Sequence, residues 1–184
     1  MTNQIKIFTL LLCFGLLTCK LTAQTENSNI QTIKDNFKSI NQITSWTKIE
    51  AIQLEESTEG GEMIACYDKS EIKKLIVNIY GETFKQIQEY YLLKNELSFV
   101  YYKLYKYNRP IFWDSTAMKE NKDDQVFDIE KSKIEEQRYY FDAGEMLQWI
   151  NENNLKESKS TQIFKDKAIE IKKEFERLMG KIKK

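Results

Sequence analysis

The side chains that most often carry out chemistry are scarce in this chain. Histidine is absent, so the chain supplies neither a Ser-His-Asp or Cys-His catalytic pair nor an imidazole metal ligand. Three cysteines are present, Cys13, Cys19 and Cys66. A thiol becomes a nucleophile or redox centre when a nearby cation or helix N-terminus lowers its pKa, and no histidine is available as its base. We therefore interpret Cys66 as a small buried residue of a strand.

Carboxylates are the remaining candidates for acid–base or metal chemistry. Asp123, Asp124 and Asp128 lie close together, but their spacing lacks the central glycine and terminal glutamate of a calcium loop. We interpret them as solvated charges. Among 28 acidic residues, no pair is set apart by its spacing as the two carboxylates of a glycosidase. The sequence predicts no metal and no cofactor in a non-catalytic protein, and the alternative is an enzyme that uses carboxylates alone.

Tyrosines are concentrated in the middle of the chain, where all ten lie within residues 67–140. Tyr105, Tyr107, Arg109 and Trp113 follow one another closely, and we call these four residues the tyrosine platform. Such side chains stack on a sugar ring or anchor a protein partner. The sequence predicts this platform as a binding site, with β-propensity and packing of the rings as the alternative.

The charge balance argues against a nucleic-acid partner. The chain has 28 basic and 28 acidic residues, so it carries no strong basic field that would attract phosphates. Only three of the basic residues are arginines, although arginine is the residue that most often reads base edges. We expect no nucleic acid among the partners.

The N-terminal segment has the pattern of an export signal. Residues 7–17 are apolar with one polar interruption, Thr9, and this run is too short to cross a bilayer, which needs about 20 residues. Ala23 offers a small residue before a cleavage site. The sequence predicts a signal peptide over 1–23, a mature domain over 24–184, and a periplasmic or extracellular location.

A second interpretation of the same segment is a lipid anchor. Leu16-Leu17-Thr18-Cys19 resembles the lipobox of bacterial lipoproteins, in which the cysteine is lipidated, but Thr18 replaces the usual Gly, Ala or Ser. Lipidation at Cys19 would make the protein an outer-membrane lipoprotein, and a membrane is expected as a partner only through this anchor.

Removal of residues 1–23 changes the net charge and the number of cysteines. Lys6 and Lys20 are lost with no acidic residue, so the mature net charge is −2. Cys66 becomes the only cysteine. A disulfide within one mature chain is therefore impossible.

Two amphipathic helices flank the mature chain. Ile30, Ile33, Phe37 and Ile40 recur at spacings typical of one helical face, which predicts a helix over about 27–44. A longer stripe predicts a second helix over 161–182, with apolar residues at Phe164, Ala168, Ile171, Phe175, Leu178 and Ile182. We expect this stripe to pack on a sheet in a monomer, with a coiled-coil dimer as the alternative.

A short unit repeats between the two helices. Residues 66–76 align with residues 140–150 without a gap, and residues 90–100 form a third copy if one residue is dropped. Gln88-Glu89-Tyr90-Tyr91 also echoes Gln137-Arg138-Tyr139-Tyr140. Each copy places a short turn between two β-prone runs, which predicts a β-hairpin. The expected strands lie near 47–56, 62–68, 72–80, 84–93, 96–107, 135–142 and 145–151.

The predicted fold is α+β: an antiparallel β-meander of about six to seven strands, over 47–107 and 135–151, packed with an N-terminal and a C-terminal helix in a single domain. A single meander has one face that must be covered, and we expect both helices on that face. Residues 108–132 interrupt the meander and contain the only proline, Pro110. A connection of this length is either a functional lid or a disordered insertion.

The hairpin unit, with an aromatic residue and Asp before the turn and Glu after it, is similar to the hairpins of the YD and MORN-like antitoxin repeat families. The mature chain, including the segment Leu104–Pro110, resembles small exported proteins of Gram-negative bacteria. That resemblance implies an envelope location and an α+β fold, and it implies no particular activity. We therefore expect an exported protein that binds a protein or glycan in the envelope through its aromatic sheet face and the 108–132 loop.

Overall fold

The computed structural model describes residues 26–182. The predicted signal peptide and Cys19 lie outside these residues. Within them, seven strands form one antiparallel sheet whose spatial order is the sequence order, and a helix is present at each end of the described chain. The predicted α+β meander is therefore confirmed.

The seven strands and the two terminal helices lie close to the predicted ranges, whereas the short helix Ser115–Glu120 lies in a segment for which no helix was predicted. The strands are β1 Lys48–Leu54, β2 Gly61–Asp68, β3 Glu71–Gly81, β4 Phe84–Leu93, β5 Glu96–Lys106, β6 Lys133–Asp142 and β7 Glu145–Ile150. The helices are α1 over 26–41, α2 Ser115–Glu120 and α3 Gln162–Ile182. Within the described part of the chain, no helix is both long and apolar enough to cross a membrane.

The three repeat copies fold into three hairpins with the same register. Cys66, Tyr91 and Tyr140 each pair with the residue eight positions later in the chain. Each hairpin has a two-residue turn whose first residue has a positive φ, 56° at Lys69, 54° at Lys94 and 46° at Ala143. The expectation that the middle copy needs a dropped residue was wrong, because Tyr91, and not Tyr90, is the equivalent of Cys66.

Each of these hairpins also contains a β-bulge, which inserts one residue into its second strand. In the middle hairpin Leu92 pairs with Leu97 and Tyr91 pairs with Phe99, so Ser98 is the extra residue. A bulge reverses the alternation of side chains beyond it. Strict alternation along this strand would place Leu97 and Phe99 on one face of the sheet, but the bulge places them on opposite faces.

The two helices cover opposite faces of the sheet. Buried α3 residues pack against one face in what we call the α3-side core, with members that include Met63, Leu75, Tyr90, Val100, Trp149, Phe164, Ile171 and Leu178. Buried α1 residues pack against the other face in the α1-side core, formed by Ile30, Ile33, Ile40, Tyr91, Phe99 and Tyr140. The apolar stripe of α3 therefore contacts the sheet, as expected, but the expectation that both helices share one face was wrong.

Residues 107–132 contain local structure of their own. Asp114 caps α2 by accepting hydrogen bonds from the amides of Thr116 and Ala117, and Asp128 caps a short 3-10 turn, Ile129–Lys131. These carboxylates thus satisfy backbone donors at element starts. The segment folds back on itself at the sheet end opposite the three bulged hairpins.

Candidate functional site

A cavity of about 640 Å³ lies between α1 and the sheet, and we call it the α1 cavity. Its volume falls within the range of about 300–1,000 Å³ that is typical of small-molecule sites. The lining residues come from α1 and from β3 to β6: Ile33, Lys34, Phe37, Asn41, Lys74, Glu89, Tyr91, Phe99, Tyr101, Arg138 and Tyr140. The site is therefore built by the sheet face and the helix together.

Aromatic rings form the apolar wall of the α1 cavity. The ring of Phe37 lies 4.9 Å from that of Tyr91 and 5.2 Å from that of Phe99, measured between centroids. The rings of Phe99 and Tyr140 are 4.9 Å apart. Tilted and edge-on pairs at these distances stabilise one another. The wall is therefore a preformed apolar surface.

A compact polar cluster stands at one side of this wall. Lys74 Nζ lies 2.8 Å from Glu89 Oε1 and donates to Asn41 Oδ1 at 3.2 Å. The hydroxyl of Tyr91 donates to Glu89 Oε2 at 2.6 Å. Lys74 is only 8% exposed, so a charge that normally faces water is held beneath α1 by these partners.

Burial changes the titration of the tyrosines in the cavity. Burial, and then the hydrogen bond to Glu89, raise the pKa of the Tyr91 hydroxyl far above its usual range. Burial and the neighbouring Glu136 raise the pKa of Tyr101 in the same way. Both hydroxyls therefore keep their protons at physiological pH.

Arg138 provides a second cation at the cavity. Its guanidinium donates to Glu136 Oε2 at 3.1 Å and to Asn154 Oδ1 at 3.2 Å, and it lies 6.0 Å from the centroid of the Tyr101 ring. About one third of the Arg138 side chain is exposed. The guanidinium is thus oriented by its neighbours and remains partly exposed to solvent.

The opposite sheet face has a groove of a different character. This α3 groove encloses about 290 Å³, and its polar lining includes Gln86, Gln88, Tyr102, Lys167 and Glu170. Glutamine amides satisfy the tyrosines here; the hydroxyl of Tyr102, for example, donates to Gln86 at 3.1 Å. Tyr90, Tyr102 and Tyr139 also line the α3 groove, but glutamines and charged α3 side chains surround them, so the groove is smaller and more polar than the α1 cavity. It serves as an internal reference for that cavity.

Comparisons of the chain with protein-family models, with curated proteins and with solved structures found no match. The family resemblances suggested by the sequence stay predictions. The function is therefore argued from the geometry alone.

The four residues of the tyrosine platform all lie half-buried at the end of β5 and in the segment that follows it. Lys103 Nζ lies 5.0 Å from the centroid of Tyr105, and the ring of Tyr107 meets that of Phe127 edge-on at 5.1 Å. The platform stays a prediction as a binding site.

Arg109 and Trp113 converge on one carboxylate. Arg109 donates through Nε and Nη2 to both oxygens of Asp123, and the indole of Trp113 donates to Asp123 Oδ2 at 3.1 Å. Arg109 holds the pKa of the Asp123 carboxyl well below its usual range. Asp123, which the sequence suggested is a solvated charge, instead ties the segment 107–132 together.

Cys66 is 3% exposed, which confirms its interpretation as a small buried residue. Burial raises the pKa of its thiol, and the nearby Lys74 opposes this shift only in part. Among residues 26–182, no group of three or more Cys, Asp or Glu side chains is placed to hold a metal ion.

Sequence reasoning missed the α1 cavity because its lining depends on where α1 docks. One signal was present. The four-residue segments that begin at Gln88 and Gln137 are similar in sequence. Their second residues, Glu89 and Arg138, both pair with Tyr101, one on each side of it in the sheet. In each segment, the charged residue that precedes the two tyrosines lines the α1 cavity.

Proposed function

We propose that this chain is an exported, non-catalytic binding protein of the cell envelope, which holds its ligand on the aromatic sheet face beneath α1. The observation that supports the proposal is the α1 cavity, because it combines a preformed aromatic wall with a few polar groups, as small-molecule sites do. The apolar part of the ligand packs against Phe37, Phe99 and Tyr101. Release of water from these rings supplies the main binding energy.

The polar cluster favours binding over catalysis. Glu89 is the one carboxylate among the residues that line the α1 cavity, and both of its oxygens are engaged, one by Lys74 and one by Tyr91. A two-carboxylate hydrolase needs an acid and a second carboxylate that face each other across the substrate. The arrangement is suited to orienting a ligand instead.

The direct test is a titration with phenylnaphthylamine, a neutral apolar dye that fluoresces when it leaves water. The protein is expressed with its own leader and purified from the exporting host. We expect saturable binding at one site. Tyr101→Ala should weaken the affinity about fivefold, because the ring removed is part of the cavity wall.

Tyr102→Ala is the matched control, because Tyr102 is the neighbouring tyrosine of β5 but lines the α3 groove. Its dye affinity should match that of the wild type. Equal losses from both variants would contradict the proposed site, and absence of saturable binding to the wild type would contradict the proposed function.

Export is tested on the same preparation by N-terminal sequencing. The proposal expects the mature chain to begin at Gln24 and to remain unlabelled by radioactive palmitate. A chain that begins at Met1 in the cytoplasmic fraction would contradict export. A palmitate-labelled chain that begins at Cys19 would instead establish the lipoprotein alternative.

A further inference from the structure

Positively charged side chains outnumber negatively charged ones around the α1 cavity. Lys34, Lys74 and Arg138 line it, against the single carboxylate of Glu89. The carboxylate of Glu136, just outside, is shared by Arg138 at 3.1 Å and by Lys103 at 3.6 Å. The lining itself therefore has three cations and one carboxylate, an excess of two positive charges, and the outer pair of Lys103 and Glu136 leaves this excess unchanged.

The two carboxylates are also in poor positions to repel an incoming anion. Lys74 and the Tyr91 hydroxyl occupy both oxygens of Glu89, and the cations around Glu136 outnumber it. Lys34 lines the α1 cavity but is itself exposed to solvent, and no ion pair of Lys34 is found among the described residues. Positive charge is thus available at the mouth of the α1 cavity.

We infer that the ligand of the α1 cavity is an amphipathic organic anion, whose apolar body packs on the rings while its anionic group pairs with Arg138 and Lys34. This inference rests on the proposed function. The guanidinium is suited to an anionic group because it presents several donors in one plane, and a charge-assisted hydrogen bond near an apolar wall is stronger than a neutral one.

Two dyes that share one apolar body separate this inference from the proposed function. Anilinonaphthalene sulfonate is phenylnaphthylamine with one added sulfonate. We expect the protein to bind the anionic dye about tenfold more tightly than the neutral one, as a charge-assisted contact allows. Added salt should weaken only the anionic dye.

Arg138→Gln and Lys34→Gln identify the cations involved. Each variant should lose most of the preference for the anionic dye, measured as the ratio of the affinities of that same variant for the anionic and the neutral dye. Lys167→Gln is the control, because Lys167 stands on a helix at the mouth of the α3 groove; its preference should be unchanged. Circular dichroism of each variant verifies that it is folded.

The outcomes distinguish the two proposals. Equal affinities for both dyes would overturn the anionic ligand and leave the binding function standing. Binding of neither dye would overturn both. A preference that survives in Arg138→Gln and Lys34→Gln but is lost in Lys167→Gln would overturn the inference by placing the anion on the opposite sheet face.

Discussion

Lys74 is the residue on which the polar side of the α1 cavity depends. Its ammonium group lies beneath α1, with 8% of the residue exposed, and the position would be unfavourable without Glu89 at 2.8 Å and Asn41 at 3.2 Å. Lys74 also lies 4.8 Å from the centroid of the Tyr91 ring. Removing one member of such a buried pair leaves the other without compensation.

Lys74→Met should therefore lower the free energy of unfolding by about 2 kcal/mol, somewhat less than for a fully buried pair because Glu89 is partly exposed. Urea unfolding followed by circular dichroism measures the change. Lys48→Met is the matched control, since Lys48 pairs with Glu50 on the surface and exposed pairs contribute little. Equal destabilisation by both substitutions would contradict the role given to Lys74.

The double variant Lys74→Met with Glu89→Met tests whether Lys74 and Glu89 stabilise the fold as a pair. Because it removes both charges together, it should recover much of the stability that the single substitution loses. The hydroxyl of Tyr91 keeps Asn41 as a partner, at 3.1 Å. Additive losses from the two positions would show that the pair is not coupled.

At the scale of single residues, the sequence predicted which side chains are buried better than it predicted which side chains form ion pairs and hydrogen bonds. The interpretation of Cys66 as a buried residue follows from its β-strand context. The pairing of Lys74 with Glu89 could not be predicted, because the two residues lie diagonally across β3 and β4 and meet only in one register. The contacts of Asp123 with Arg109 and Trp113 likewise depend on how a long connection folds back.

At the scale of elements, the repeats made the hairpins predictable but not their bulges. Equal spacing of an aromatic residue, a turn and a glutamate indicated three hairpins of one kind. The extra residue in each, such as Ser98, leaves no distinct pattern in the sequence, yet it reverses the faces of all residues beyond it. The hydroxyl of Ser98 donates to the carbonyl of Tyr91 at 2.9 Å, so this bulge carries its own hydrogen bond.

Two isoleucines of α3 test which side of this helix packs against the sheet. Ile171 is 8% exposed and belongs to the α3-side core, whereas Ile169 is 52% exposed. Ile171→Ala should lower the free energy of unfolding by about 2–4 kcal/mol through lost burial and cavity formation. Ile169→Ala should change it by less than about 0.5 kcal/mol.

The comparison is controlled within one helix, because both substitutions replace isoleucine by alanine and so alter helix propensity equally. Urea unfolding of the two variants measures the difference. If Ile169→Ala were the more destabilising, the assignment of the sheet-facing side of α3 would be wrong.

At the scale of the whole molecule, the sheet is covered on both faces by the two ends of the described chain. The central strand β5 has aromatic residues on both faces, with Tyr101 at the α1 cavity and Tyr102 at the α3 groove. The apolar stripes of the two helices indicated which elements would cover the sheet. Which helix takes which face is set by the connections and the bulges, so the sequence did not predict it. The α1 cavity exists only because α1 has one face of the sheet to itself, and this explains why the candidate site was missed.

The central claim is that a ligand binds between α1 and the sheet, and methyl NMR of isoleucine-labelled protein tests it most directly. Ile33 lines the α1 cavity, while Ile171 lines the α3 groove. On titration with anilinonaphthalene sulfonate, the Ile33 methyl resonance should shift in a saturable manner and that of Ile171 should stay in place. A saturable shift of Ile171 with Ile33 unmoved would contradict the account.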